Sequence, residues 1–477
     1  MMHPVERHIP SRPYSAPTAL RRSALTALAL LPLLATSATA AIVRPFGTEF
    51  QVNTYTTASQ YQYGPAICHD GAGNFVIVWQ SGYEISGTEY GHQDGQAGGI
   101  FGQRYDSSGA PSGTEFQVNT YTTGNQIDPA VCCAANGNFV VVWASLGQDG
   151  DGYGVFGQRF ASSGAFAGSE FQVNTETLSS QYDPALCCDA TGDFIVTWES
   201  AAQDGDLLGI FAQRFRDTGA PRGTEFQVNT YTTSYQFAPG ICCDTTGDFV
   251  IVWTSFAPQD GDGSGVFAQR YASNGSPRGA EFQVNTYTDG YQGAAYKFEN
   301  TPICCDAAGD FTVAWASRPA PMAPSDVFGQ RFSSAGADLG TEFQINTYTS
   351  GYQDFPSICC GPSGGFVVVW ASYVEDGDSE GVFGQRFSTI GAPAGREFQV
   401  NTYTTGLQTV PVVSCDATGD FVVSWTSFPN QDGDRSGVFA QAFQQLAIAS
   451  TPALSLAGLV AGVLVLCAAA ARGLRRR

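Results

Sequence analysis

Pro129-Ala-Val-Cys-Cys133, Asn136-Gly-Asn138, Phe139-Val-Val-Val-Trp143, Gln148-Asp-Gly-Asp151, Val155-Phe-Gly-Gln-Arg-Phe160 and Glu170-Phe-Gln-Val-Asn-Thr175 follow one another as a single unit. The first, third, fifth and last of these runs are short, apolar and separated by Gly/Asn/Asp turns, so they read as strands. Phe139–Trp143 is apolar without alternation, as expected for a strand covered on both faces. The unit recurs. Phe-Gln-Val-Asn-Thr starts at Phe50, Phe116, Phe171, Phe226, Phe282 and Phe398, with Ile345 replacing Val in the copy at Phe343. The seven tryptophans, Trp79, Trp143, Trp198, Trp253, Trp315, Trp370 and Trp425, fall one to a unit, most often fifty-five residues apart. Units one and five carry insertions near Tyr83–His92 and Gly293–Asn300. Seven repeats of four short strands predict an all-β, seven-bladed propeller of four-stranded blades.

The phase of the repeat bears on closure. The body opens on Phe50–Thr54, the last strand of a unit, and closes on Val438–Phe443, a third strand. The N-terminal strand would therefore complete the last blade and remove two bare sheet edges. An open β-solenoid of seven repeats is the alternative.

Twelve of the thirteen cysteines stand in two adjacent columns of the first strand. One column is Cys68, Cys132, Cys187, Cys242, Cys304, Cys359 and Ser414; the other is His69, Cys133, Cys188, Cys243, Cys305, Cys360 and Cys415. Neighbours on a strand face opposite ways, so one column faces the preceding blade and the other the next. Joining each first-column cysteine to the second-column cysteine of the following unit uses all twelve: Cys68–Cys133, Cys132–Cys188, Cys187–Cys243, Cys242–Cys305, Cys304–Cys360 and Cys359–Cys415. His69 and Ser414 are left to meet at the closing seam. Buried free thiols are the alternative, and the columns lack the Cys-x-x-Cys spacing of zinc sites.

Residues 1–40 read as an export signal: Leu20-Arg21-Arg22, an apolar run from Ala24 to Ala35, then Ala38-Thr39-Ala40. Residues 41–445 are the repeat body, and 446–477 a C-terminal tail in which Leu454–Ala471 is uncharged and apolar, followed by Arg472, Arg475, Arg476 and Arg477. That layout predicts a short membrane anchor with its arginines on the cytoplasmic side. Setting leader and tail aside, the stated net charge of −21 leaves about −28 on the body. Such a surface excludes nucleic acid and anionic lipid, which need positive charge to displace counterions.

Alternating carboxylates recur between the second and third strands, at Asp149 and Asp151, Asp204 and Asp206, Asp260 and Asp262, Asp376 and Asp378, and Asp432 and Asp434. Two oxygen-bearing side chains flanking a glycine could hold Ca²⁺; a hairpin turn with solvated acids is the other reading. Arg104, Arg159, Arg214, Arg270, Arg331 and Arg386 recur in the third strand, and Glu115, Glu170, Glu225, Glu281, Glu342 and Glu397 beside the fourth. They read as cross-strand ion pairs.

No Gly-x-Ser-x-Gly elbow, phosphate loop or His-rich site is present, and beyond the leader the histidines are His69 and His92. The expectation is an exported, surface-anchored scaffold for binding or adhesion, not an enzyme, with a cell-surface or matrix glycan or protein as partner. The alternative is a carbohydrate-active hydrolase or lyase, which would need paired carboxylates at a break in the symmetry, sought first in irregular units one and five.

The repeat, from Gly-Asp-Phe-Val-Val-x-Trp to Gly-Val-Phe-x-Gln-Arg-Phe, resembles that of uncharacterised secreted bacterial proteins. Through Phe156-Gly157 and the nearby acids it also resembles the FG-GAP and integrin-type propellers. The tail, entered through Ser450-Thr-Pro-Ala-Leu-Ser455, resembles the PEP-CTERM and IPTL-CTERM sorting tails. That resemblance implies reading by a sortase-like membrane enzyme.

Overall fold

The structure, a computed structural model, describes residues 42–56, 64–85, 88–90, 93–256, 259–294, 300–429, 431–433 and 435–446. The export signal, the apolar run of the tail, His92 and Asp434 lie outside these residues. Among the described residues there is no helix, and so none long and apolar enough to cross a membrane.

The chain is a seven-bladed β-propeller. Blade two shows the plan: Gln126–Cys133 innermost, then Phe139–Leu146, Tyr153–Phe160 and the outermost Phe171–Gln172, each antiparallel to its neighbour. The insertion in unit five splits its inner strand into Tyr291–Gly293 and Ile303–Cys305, and that in unit one forms a small hairpin of Tyr83–Ile85 with Thr88–Tyr90.

The repeated Phe-Gln-Val-Asn-Thr now has a physical account. The sequence suggests an outer strand over 170–175, yet its ladder covers only Phe171 and Gln172. Val173 N–H still donates to Val155 O at 2.8 Å, and Val173 is buried. Beyond it a side chain replaces the ladder, as Asn174 Oδ1 accepts from Val155 N–H at 2.8 Å. The same bond is made by Asn53, Asn119, Asn229, Asn285, Asn346 and Asn401, each at 2.8 Å. Buried backbone donors need partners, so this position tolerates little but Asn.

There is no single core. Each second strand is buried on both faces, every tryptophan is fully buried, and the apolar clusters lie between consecutive blades. Ala130, Cys132, Val140 and Val142 of blade two pack on Phe194, Val196 and Trp198 of blade three. Stability of this kind is a sum over neighbouring interfaces, and closing the ring adds one more.

The ring is closed. Ile42–Gln51 pairs antiparallel with Gly437–Leu446, from Ile42↔Leu446 to Gln51↔Phe439, and supplies the outer strand of blade seven. Phe75, Ile77 and Trp79 of blade one pack on Val422, Val438 and Ala440 of blade seven. The open-solenoid alternative is thereby excluded. Strands one and three of each blade run the same way, so the third strand of blade seven ends, at Leu446, on the face where the inner strands end.

All six inter-blade disulfides form as the two-column rule requires, with Cα–Cα distances of 5.4 to 5.8 Å. At the seam, His69 Nδ1 and Ser414 Oγ lie 2.8 Å apart. Burial lowers the His69 pKa from 6.5 to about 4, against the opposing pull of Asp416 and Asp70. An unfolded histidine protonates near pH 6.5 while the folded one resists until about 4, so the unfolded state binds more protons in that window and stability falls as pH drops through it. The loss should approach about 3 kcal/mol at the acid end. His69→Cys with Ser414→Cys should form a seventh bridge and remove this acid limb, which urea melts from pH 7 to 4 would read.

Candidate functional site

Each blade has a proline in or just before its inner strand: Pro65, Pro129, Pro184, Pro239, Pro302, Pro356 and Pro411. The residue before it is held at positive φ in six blades: Gly64 (37°), Asp128 (53°), Asp183 (50°), Ala238 (56°), Phe355 (56°) and Val410 (49°). A residue before proline ordinarily prefers extended backbone, and a β-branched residue at positive φ is strained. The ladder shifts register around these residues, for example between Ile127 and Ala130 and between Tyr182 and Ala185. The bulge brings Gly64, Asp128, Asp183, Phe355 and Val410 to the mouth of the central channel, a cavity of about 270 Å³ lined by all seven blades, blade four through Gly240 and Ile241. That volume lies just under the usual range for small-ligand sites, about 300–1,000 Å³.

The backbone here is nearly symmetric; the side chains are not. The residues before the prolines, read round the ring with Thr301 in blade five, are Gly, Asp, Asp, Ala, Thr, Phe and Val. Asp128 and Asp183 stand on adjacent blades, and their carboxyls interact with each other. Burial, then the charge of Asp183 and that interaction, push the Asp128 carboxyl well above the ordinary carboxylate range. Two carboxyls so placed cannot both ionise, and the pair retains a proton where isolated carboxylates would have lost theirs.

Residues behind the mouth fix its walls. Glu199, fully buried, accepts from Ala238 N–H at 2.6 Å. In the next blade Thr254 and Thr301 join their hydroxyls at 3.2 Å. Arg318 and Asp354, both buried, form an ion pair at 3.2 Å, and Ser325 Oγ donates to Asp354 at 2.6 Å. Burial raises the Asp354 carboxyl, and Ser325 and Arg318 oppose that rise. Among the described residues no lysine or arginine lines the mouth.

At the channel's other end the second cysteine column rings a cavity of about 300 Å³, together with His69, Asp70, Asp189, Asp244, Asp306 and Asp416. These aspartates are turn-formers. Asp189 Oδ1 accepts from Thr191 N–H at 2.8 Å and Asp193 N–H at 3.1 Å, and Asp244, Asp306 and Asp416 repeat the arrangement.

The acidic loops lie on the mouth face. The first aspartate of each pair folds back on its own loop, with Asp204 Oδ1 accepting from Asp206 N–H at 3.2 Å and Asp376 Oδ1 from Asp378 N–H at 3.3 Å. The second reaches the link that follows its blade: Asp151 to Ser179 N–H at 3.0 Å, Asp206 to Ser234 at 2.8 Å, Asp262 to Gly290 at 3.1 Å and Asp378 to Gly406 at 3.0 Å. Asp149 and Asp260 stand at the same first position, and burial raises the Asp260 carboxyl. Among the described residues no three His, Cys, Asp or Glu side chains converge as metal ligands would.

The arginine and glutamate columns are not paired with each other, which corrects the ion-pair expectation. Arg104, Arg214, Arg270 and Arg331 each donate to a backbone carbonyl in the next blade, those of Ser162, Ser273, Ser334 and Thr389, at 2.6 to 2.7 Å; Arg159 does so to Thr218. The glutamates point the other way. Glu170 Oε2 accepts from Thr120 N–H at 2.6 Å and Thr120 Oγ1 at 2.9 Å in the preceding blade, while Gln148 holds Oε1. The clasp recurs in every blade and crosses the seam, where Glu49 receives Thr402 and Glu115 receives Thr54.

Neither a family model nor a curated protein matches the chain. Among solved structures, a protein of unknown function from Dyadobacter fermentans aligns over 85% of this chain and 99% of its own, at 9% identity and a TM-score of 0.51. An ulvan lyase of polysaccharide lyase family PL25 aligns over 83% and 94%, at 8% identity and 0.48. An α-L-arabinanase from Penicillium chrysogenum aligns over 68% and 95%, at 12% identity and 0.45. The first likeness concerns the fold alone.

Proposed function

We propose that this exported propeller is a glycan hydrolase whose acid is the Asp128–Asp183 pair at the mouth of the channel. The observation that carries the reading is the pair itself: two carboxyls in contact, at a break in the sevenfold symmetry, facing the cavity where the blades converge. Six disulfides support an oxidising, extracytoplasmic setting, where polysaccharides are met.

The chemistry follows from the pair's geometry. Retaining enzymes hold two carboxyls about 5–5.5 Å apart and inverting ones about 6.5–9.5 Å. The Asp128 and Asp183 carboxyls interact directly and act as one unit that stores a proton. The pair gives that proton to the leaving glycosidic oxygen, water adds to the anomeric carbon, and the proton released from water restores the pair. Elimination fits less well, because a lyase must neutralise a uronate and the described mouth-lining residues include no cation.

Asp128→Asn and Asp183→Asn should each lower turnover by about 10²–10⁴-fold. Wild-type turnover should fall as pH rises through the raised pKa of the pair. Release of reducing ends from a polysaccharide panel reads both effects. A binding or adhesion scaffold is the second reading, favoured by the Thr–Glu clasp that locks all seven blades. Retention of glycan with no reducing ends released, and indifference to both substitutions, would select it.

A further inference from the structure

We infer that Tyr182, Tyr235, Phe256 and Tyr291 form a binding track for a non-acidic polysaccharide chain, running from the acid pair across blades three to five; this inference rests on the mouth being a glycan site. The track is continuous. Tyr182 adjoins Asp183 in sequence and lies beside Glu199 and Tyr235, its hydroxyl raised above the usual tyrosine range first by burial and then by those charges. Phe256 N–H donates to Tyr235 O at 2.9 Å, which fixes these two residues side by side. The rings of Phe256 and Tyr291 follow at a centroid distance of 6.0 Å.

Two features argue for a sugar chain as occupant. Tyr235 and Phe256 are 37% and 38% exposed on the mouth face, where apolar rings gain nothing from water. Carboxylates also stand along the track: Asp206 on the N–H of Ser234, next to Tyr235, and Asp262 on the N–H of Gly290, next to Tyr291. Rings that stack on the apolar faces of pyranoses, alternating with acceptors for their hydroxyls, suit a polysaccharide. The charge selects among polysaccharides. With the loop aspartates on this face and about −28 on the body, an acidic glycan is repelled, whereas a neutral one is not.

The test is affinity electrophoresis of the full chain carrying Asp128→Asn, so that nothing is consumed, in gels containing arabinan, xylan, mannan, β-glucan or alginate. At least one neutral polysaccharide should retard migration and alginate should not. Phe256→Ala and Tyr235→Ala should each weaken retardation about tenfold. Ile390→Ala, which removes another exposed apolar side chain (79% exposed) on the opposite face, should leave it unchanged. The track is overturned if no neutral polysaccharide retards the protein, if alginate does so equally, or if the aromatic substitutions act no more than Ile390→Ala. Failure of the hydrolase reading shows separately, as turnover indifferent to Asp128→Asn while retardation persists.

Discussion

The reduced propeller should not survive at 37 °C. Each disulfide spans 56 to 65 residues. Chain entropy assigns about 4 kcal/mol to a loop of that length. Six such bonds give an upper figure on the order of 20 kcal/mol, more than the ~5–15 kcal/mol by which a folded domain usually exceeds its unfolded chain. The terms are not independent, because a blade already pinned to one neighbour has less freedom to lose to the other. Even half of the sum would consume most of an ordinary margin. Calorimetry of the body with and without a thiol reductant should therefore show the cooperative transition move below 37 °C or vanish. A reduced protein melting within a few degrees of the oxidised one would mean that blade packing suffices.

The second large effect should come from removing residues 42–53. That segment provides the whole outer strand of blade seven, from Ile42↔Leu446 to Gln51↔Phe439. It also places Val52 in the apolar cluster of the seam, Asn53 Oδ1 on Val438 N–H at 2.8 Å, and Glu49 in the clasp with Thr402. Its loss would uncover a long edge on Gly437–Leu446, and bare edges seek other strands. The shortened chain should aggregate, or oligomerise by strand exchange, rather than fold as a monomer. Supplying a peptide of residues 42–53 during refolding should restore the monomer by strand addition. Light scattering and size exclusion read the outcome, and a well-folded monomer without the peptide would contradict the closure argument.

Much of this architecture was legible in the residues themselves. Trp143 and its counterparts gave the blade count, and the phase of Phe50 and Val438 gave the closure. The cysteine columns gave the bonds, since alternate facing on a strand leaves few pairings. The candidate site was less legible, for a local reason. Asp128 and Asp183 precede prolines, where extended backbone is the rule, and nothing in a single repeat announces a bulge that turns them into the channel. The irregular blades one and five drew attention instead, although the described residues with which they line the mouth include no carboxyl. A comparison of columns would have found the pair, because the residue before the proline is among the least repeated in an otherwise uniform unit.

The arginine and glutamate columns were misread for a different reason. Their partners lie about one repeat away in sequence, as with Glu170 and Thr120 or Arg104 and Ser162. Reasoning from neighbours within one sheet cannot reach a contact made between sheets.

The direction of the last strand sets how the molecule stands. Gly437–Leu446 leaves the mouth face and ends beside Ile42, on the side of the disulfide ring. A body moored to an envelope there would rest on its cystine-ringed base and hold the acid pair and the aromatic track toward the medium, so that a long polymer could lie across it without first threading between protein and membrane.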